Sequence, residues 1–234
     1  MSSEISIYKS LLEGYDKGAA YFSETRCFFW RDLQFIKEYI RKNDKILDFG
    51  CGNGRLLELT GSDFKEYLGV DISEKLIEIA KNKYGENTPG KTQSRVAFKK
   101  IHPYKFILPS AYFDAVCSIG VFHHLPSGAI RNSIRAKLWD ALKPGGHIIV
   151  SVWNLHQERY QNYFIGDGQE TNEGYIPFKD QQGNILFDRY HYRWNLPELE
   201  SFFTNAGFEI VQSGKTERNN HPANLFVIGK KPVK

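Results

Sequence analysis

The stretch ILDFGCGNGR, residues 46–55, places three glycines directly after a short apolar run and directly before a segment that can form a helix. A short apolar run of this kind is typical of a buried strand in a parallel sheet. Glycines in the turn after such a strand let the backbone approach a bound ligand without a clash from a side chain. The stretch therefore predicts a strand, a ligand-binding turn and a helix, which is the first unit of an α/β fold.

A second strand is expected at 67–70, and Asp71 follows it. A carboxylate at this edge of an open α/β sheet can accept both hydroxyl hydrogens of a ribose, so Asp71 and the glycine turn indicate a nucleotide-type cofactor. The alternative is a purely structural role, in which the glycines form a tight turn and the aspartate only caps a helix. A nicotinamide dinucleotide fits less well, because the glycines follow G-x-G-x-G and Asp48 precedes the turn, where it can hold loop amides or a cofactor ammonium.

Alternating strands and helices continue along the chain. Ser73 and Ser127 are expected to cap two helices, and a last helix is expected at 197–205. The seven expected strands are 45–49, 67–70, 95–99, 115–119, 147–153, 208–212 and 225–229. We therefore predict a Rossmann-like α/β fold: a mostly parallel seven-stranded sheet with a closing antiparallel pair and helices on both faces.

Two segments lie outside this alternation. Residues 5–40 are predicted to be helical, and periodicity is lost over 155–193, where glycines are scattered among aromatic and polar residues. We expect a single domain over 1–234, with 1–44 as an N-terminal helical cap and 155–193 as a long insertion on the substrate side. Long loops on α/β scaffolds usually carry specificity.

Composition sets broad limits on function. The 234 residues are 41% hydrophobic and 25% charged, as in ordinary soluble domains, and the net charge of +4 permits a polyanionic partner without requiring one. Cys27, Cys51 and Cys117 form no CxxC pair, so we expect no disulfide framework, no metal site and a cytoplasmic location. We expect neither export nor a membrane span, because no signal-like N-terminus and no run of about 18 apolar residues occurs.

The glycine stretch resembles the first motif of the class I S-adenosylmethionine methyltransferases. The resemblance continues at 68–73, 113–116, 123–125 and 142–146 and covers nearly the whole chain. It implies S-adenosylmethionine as cofactor and S-adenosylhomocysteine as product. By this resemblance Gly50 and Gly52 line the methionine and ribose portion, and Asp71 binds the ribose. Further cofactor contacts are expected at Asp48, Cys51, Ile72, Ser118 and Ile119.

The adenine end departs from the family pattern. Many relatives carry an acidic residue after the third strand that binds the adenine amino group, whereas His102 stands near that position here. We place His102 and Ile101 in the cofactor site, where Ile101 or a neighbouring backbone amide can serve. Adenine binding is largely stacking between apolar groups.

A narrower resemblance is to the tRNA methyltransferases that esterify the carboxymethyl group on wobble uridine. It rests on residues 15–30, 51–54 and 151–157, and less tidily on 189–191 and 218–220. It implies tRNA as the acceptor and, for Tyr15 and Arg26, a role in closing the cofactor site; a surface salt bridge is the alternative for Arg26. Related enzymes often work with a small zinc-containing activator subunit, and the sequence is silent on whether this one does.

The acceptor decides which catalytic groups are needed. A carboxylate is already ionised near neutral pH, so the protein mainly aligns donor and acceptor. A phenol or an amine as acceptor would need a general base to remove its proton. His123 and His124, just past the fourth strand, are the candidates for this base, and a structural role is the alternative for both.

Candidate substrate residues come from the insertion and the end of the fifth strand, where cations alternate with aromatic rings: Trp153, Arg189, Tyr190 and His191. A splayed-out RNA base and its phosphates require such groups, although an aromatic lid over a small hydrophobic acceptor would also explain them. We therefore predict direct in-line methylation of the carboxylate of carboxymethyl wobble uridine in tRNA. The alternatives are a small-molecule O- or N-methyltransferase and an inactive cofactor-binding partner subunit.

Overall fold

A seven-stranded sheet forms the centre of the computed structural model, which describes residues 2–61, 64–85 and 95–233. Its order is β10-β11-β5-β4-β1-β2-β3; β1 to β5 are parallel, and β10 and β11 close the sheet in antiparallel fashion. The strands are β1 Lys45–Phe49, β2 Glu66–Asp71, β3 Arg95–Lys100, β4 Phe113–Ile119, β5 Leu142–Trp153, β10 Glu209–Arg218 and β11 His221–Lys230. The predicted fold class is confirmed, although the closing strands are longer than expected.

Strand register brings the two key motifs to one edge. β1 and β2 pair residue for residue from Lys45 with Glu66 to Phe49 with Val70. Because parallel strands that start together also end together, Gly50 and Asp71 follow at the same carboxyl edge.

Helices cover both faces of the sheet. Ser73 and Ser127 accept hydrogen bonds from Leu76 N and Ile130 N, so both predicted N-caps are confirmed. One buried cluster packs α5 and α6 against the sheet, and a second packs α3, α4 and a 3₁₀ helix against the other face. The helices are α1 Ser2–Lys17, α2 Ala19–Thr25, α3 Leu56–Thr60, α4 Glu74–Tyr84, α5 Gly128–Ala141 and α6 Leu196–Thr204.

Residues 5–40 were predicted to be helical, but the structure divides this segment into three separate helices. α1 ends at Lys17, α2 begins after Gly18, and the following segment Arg31–Tyr39 is a 3₁₀ helix. Glycine weakens a helix interior, which favours a break at Gly18, and a Cβ there would lie 3.3 Å from the ring of Phe178. The prediction of helix was right for the separate pieces and wrong for the residues between them.

The insertion at 155–193 contains more structure than a loop. A 3₁₀ helix, Glu158–Phe164, precedes a small hairpin of β6 Ile165–Gly166 and β7 Gln169–Glu170. A longer antiparallel pair follows, β8 Glu173–Lys179 and β9 Ile185–Tyr192. Burial alternates along β8, which is the period-two signal that the sequence analysis missed.

None of the helices in the described ranges is long and apolar enough to cross a membrane.

Candidate active site

A large cavity opens at the carboxyl edge of the sheet, where α1 and α2 face the ends of β1 and β2. Its volume is about 1240 Å³, counting the part of the mouth that is open to solvent. Its lining runs from the glycine turn and Asp71 to Trp153 and Arg189, so one cavity borders predicted cofactor residues and predicted substrate residues. Residues of β4, β5 and β9 complete its walls.

The glycine turn forms the floor of the cavity. Gly50, Gly52 and Gly54 have φ angles of +78°, +54° and +79°, a region that L side chains rarely adopt. A Cβ on Gly50 would lie 2.2 Å from a methyl carbon of Val121, so a side chain there would displace the cavity wall. The sequence needs glycine at this turn for both reasons.

Asp71 is anchored beside that turn. Its two carboxylate oxygens accept hydrogen bonds from the backbone N–H groups of Gly52 (2.8 Å) and Ser73 (2.9 Å). Burial raises the pKa of Asp71, and these backbone donors oppose the rise. The carboxylate is therefore held in place at the cavity edge, with lone pairs left to accept ribose hydroxyls.

Three polar side chains line the cavity next to the glycine turn: Asp48, Asn53 and Arg55. The hydroxyl of Tyr67 donates to Asp48 at 2.5 Å, and burial raises the pKa of Asp48 to about 7. Oδ1 of Asn53 and Nη1 of Arg55 are buried without a hydrogen-bond partner in the described part of the chain, although both residues line the cavity. Burial, followed by the charge of Arg26, lowers the pKa of Arg55 to about 9. Such donors and acceptors fit the zwitterionic end of an amino-acid-bearing cofactor.

Two arginines line the cavity near the ring of Phe178. Arg26 and Arg189 face the ring of Phe178 at 5.1 and 5.0 Å, and Arg189 also lies 5.0 Å from the ring centre of Trp153. Burial and the charge of Arg189 lower the pKa of Arg26. Neither guanidinium forms an ion pair with an acidic residue among those that the structure describes, so the surface salt bridge considered for Arg26 is not formed.

Tyr15 connects α1 to the segment after β4. Its hydroxyl lies 2.9 Å from Nε2 of His124, whose Nδ1 lies 2.8 Å from the carbonyl oxygen of Tyr190. Burial lowers the pKa of His124 to about 3, so this imidazole is neutral near pH 7. A base of such low pKa is poorly suited to taking a proton from a phenol or an amine.

Three imidazoles cluster here, and their nitrogens lie close enough to suggest a metal ion: His123, His124 and His191 have ligating atoms within 4.8 Å of one another. Their hydrogen bonds argue against it. Nδ1 of His123 accepts from Trp153 N, so Nε2 of His123 carries the proton, and Nε2 of His124 faces the Tyr15 hydroxyl. Only Nε2 of His191 keeps an unshared lone pair, and one ligand does not make a metal centre.

Comparison with known proteins decides the family. The family model described as "Methyltransferase domain" matches residues 21–213. The chain belongs to this methyltransferase family. It is an S-adenosylmethionine-dependent methyltransferase, as the glycine turn and Asp71 predict.

Relatives and a solved structure resemble this methyltransferase. The tRNA (carboxymethyluridine(34)-5-O)-methyltransferase of Arabidopsis thaliana is 36% identical over 171 residues, which are 68% of this chain and 39% of that protein. The Schizosaccharomyces pombe protein of the same name is 26% identical, over 88% of this chain and 91% of that protein. A chain in the solved complex of the Haloferax volcanii Trm112 methyltransferase activator with a methyltransferase is 17% identical, with a TM-score of 0.68, and the match covers 96% of this chain and 99% of that one.

Most residues predicted to bind cofactor or substrate line the cavity, at positions consistent with that role. They are Tyr15, Arg26, Asp48, Gly50, Cys51, Gly52, Asp71, Ile72, Ile101, Ile119, Trp153 and Arg189. Of the two candidate bases, His124 lines the cavity and His123 is fully buried beside Trp153.

Four other predicted binding residues do not line the cavity. His102 is exposed, and its ring contacts Tyr8 and Tyr104, which line the cavity instead. Ser118 is buried within β4. Side chains alternate along β9, so Tyr190 points away from the face of Arg189; His191 shares that face but packs behind His124.

Several residues of the cavity wall are not among the predicted site residues. Tyr8 and Leu11 lie seven and four positions before Tyr15, on the same face of α1, and the helical period could have identified them. Trp30, the last residue of the 15–30 stretch, was not predicted as a site residue, yet its ring lies 4.1 Å from the guanidinium of Arg55 and 4.8 Å from that of Arg218. No local signal in the sequence indicates that stack, because its three members are distant along the chain.

Proposed function

We propose that this methyltransferase esterifies the carboxylate of a carboxymethyl group on the wobble uridine of tRNA. The names of the Arabidopsis and fission yeast relatives support this substrate. The residues around Tyr15, Arg26 and Trp153 carry part of this likeness to the same group of enzymes.

The observation that carries the proposal is the buried cation at Arg189. Only 5% of this residue is exposed, its Nε has no hydrogen-bond partner within the described chain, and it borders the cavity beside Trp153. A buried guanidinium without a counter-charge is costly, and a substrate carboxylate would supply both the charge and the acceptors. Trp153 lies next to it, where a base attached to that carboxylate can stack.

The chemistry needs little from the side chains beyond alignment. The cofactor supplies a methyl group on a positively charged sulfur. The acceptor oxygen forms the new carbon–oxygen bond as the carbon–sulfur bond breaks, so one negative and one positive charge disappear and no proton moves. Because both charges vanish, a cavity that excludes water favours the step, and Arg189 holds the acceptor in line. The low pKa of His124 agrees with a reaction that uses no base.

The test supplies labelled S-adenosylmethionine and total tRNA, followed by mild alkali, which cleaves methyl esters. We expect label in tRNA that alkali releases, and a loss of at least about 100-fold in kcat/KM for Arg189→Gln, because a charge-assisted pair is removed. Arg159→Gln is the matched control, since Arg159 is an exposed arginine of the same insertion. Label that survives alkali would contradict the ester, and label only in small molecules would favour a small-molecule acceptor.

We also propose a small activator subunit as partner, on the strength of the Haloferax volcanii complex. The assay is therefore run on this chain alone and after co-expression with a Trm112-type protein. Co-purification at equal stoichiometry with higher activity is expected. Full activity of the chain alone, with no co-purification, would contradict this partner.

A further inference from the structure

The hydrogen bonds around His124 have a fixed direction. The carbonyl oxygen of Tyr190 can only accept, so Nδ1 of His124 carries the imidazole proton and donates to it. Nε2 of the neutral ring then offers a lone pair, and the Tyr15 hydroxyl, 2.9 Å away, must be the donor.

The proton between these two side chains stays on Tyr15. Burial lowers the pKa of His124 to about 3 and raises that of Tyr15, so neither ring becomes charged near neutral pH. The positive charges of Arg189 and Arg26 oppose the rise at Tyr15. Tyr15 is thus a neutral phenol whose hydrogen points at His124.

Only lone pairs of the Tyr15 oxygen are therefore left to face the cavity. Near it, Arg26 and Arg189 present donors and positive charge, which suit carboxylates. The lone pairs of the Tyr15 oxygen do not suit a carboxylate. They suit a positively charged sulfur and the polarised hydrogens of its methyl group.

We propose that His124 is a positioning residue for the cofactor. It accepts the hydrogen bond that the Tyr15 hydroxyl donates, and it thereby keeps the oxygen lone pairs of Tyr15 turned toward the sulfonium. His124 then has no role as a base, and it acts only through Tyr15. The thioether product lacks both the charge and the methyl, so the pair distinguishes S-adenosylmethionine from S-adenosylhomocysteine and helps release the product.

This inference rests on the cofactor and not on the proposed acceptor. The test measures binding without RNA, so its failure would leave the tRNA proposal standing, and the failure of that proposal would leave this one intact.

The experiment compares dissociation constants for S-adenosylmethionine and S-adenosylhomocysteine by calorimetry. The variants are Tyr15→Phe, His124→Leu, the double variant and His124→Gln, whose amide can accept from Tyr15 and donate to the Tyr190 carbonyl. Tyr39→Phe is the control, because it removes a phenol hydroxyl that donates to Gln212, outside the cavity. Thermal melts check that each variant is folded, and Tyr15→Phe tests the inference even if the buried His124 does not tolerate leucine.

We expect Tyr15→Phe and His124→Leu each to reduce the preference for S-adenosylmethionine over S-adenosylhomocysteine by about threefold to tenfold, the range of one hydrogen-bond contact. The double variant should show no further change, and His124→Gln and Tyr39→Phe should keep the wild-type preference. Equal weakening of both ligands in Tyr15→Phe would overturn the inference. So would a double variant whose preference falls by the product of the two single effects.

Discussion

Burial of the Asp48 carboxyl makes its protonation part of folding. Its pKa rises from the usual 3.8 to about 7 because the carboxyl is buried, while Tyr67 donates to it and opposes the rise. Between these two values the folded chain holds a proton that the unfolded chain has lost. Stability due to this group is therefore fully present below about pH 4 and declines as the pH rises through about 7.

Asp48→Asn should abolish that decline. The amide stays neutral and its oxygen still accepts from Tyr67, so we expect the variant to gain up to ~4 kcal/mol over the wild type at pH 8 and less than half of that, ~1.6 kcal/mol, at pH 5. Urea unfolding at the two pH values measures the difference, and taking it between the two proteins cancels the titration of the buried histidines. Asp140→Asn, at an exposed position, serves as control. A wild type and variant that change in parallel between pH 5 and pH 8 would contradict the raised pKa.

At the scale of elements, α1 is held on the cavity by its fit against β9. Gly14 allows the approach, because a Cβ there would lie 2.1 Å from the ring of Phe187. That ring also contacts the ring of Tyr15, at 5.2 Å between centres. The placement of Tyr15 in the cavity thus depends on a close contact between a helix and a strand of the insertion.

Gly14→Ala should weaken cofactor binding although alanine is the better helix former by ~1 kcal/mol. We expect S-adenosylhomocysteine to bind at least about threefold more weakly, since the added methyl displaces Phe187 or α1. Gly128→Ala is the matched control, because Gly128 lies in the first turn of α5 with no atom near its Cβ position. Calorimetry gives both affinities; unchanged binding in Gly14→Ala would show that α1 does not depend on this contact.

At the scale of the molecule, the cavity joins parts of the chain that are far apart in sequence. α1, the glycine turn, the ends of the central strands and β9 all contribute to its walls. A ligand that binds there contacts the N-terminal helices, the sheet and the insertion at once. Its binding should therefore stabilise the whole fold and not one part of it.

Thermal unfolding tests this coupling. S-adenosylhomocysteine at 100 times its dissociation constant adds ~2.7 kcal/mol, which corresponds to about 5–10 °C in Tm for a chain of this size. We expect a single transition that shifts as a whole, and a much smaller shift for Asp71→Asn at the same concentration. Two transitions of which only one moves would mean that the N-terminal helices or the insertion unfold independently of the sheet.

The sequence by itself determined the sheet and the cofactor end of the site. β1, the glycine turn and Asp71 follow one another in a local order that carries its own physical meaning: an apolar run buries itself, glycines turn sharply, and an acid at a strand end meets a ribose. The helix caps at Ser73 and Ser127 were predictable for the same reason, since each bond spans three residues.

Only the tertiary structure decided the acceptor end. Tyr15 and His124 are 109 residues apart, and Arg189 reaches the cavity only because β9 pairs with β8 and packs against α1. The sequence marked these residues as aromatic or basic but gave no direction for their side chains. The hydrogen of Tyr15 points toward His124 because a distant carbonyl fixes the imidazole proton, and such a contact exists only once the chain has packed.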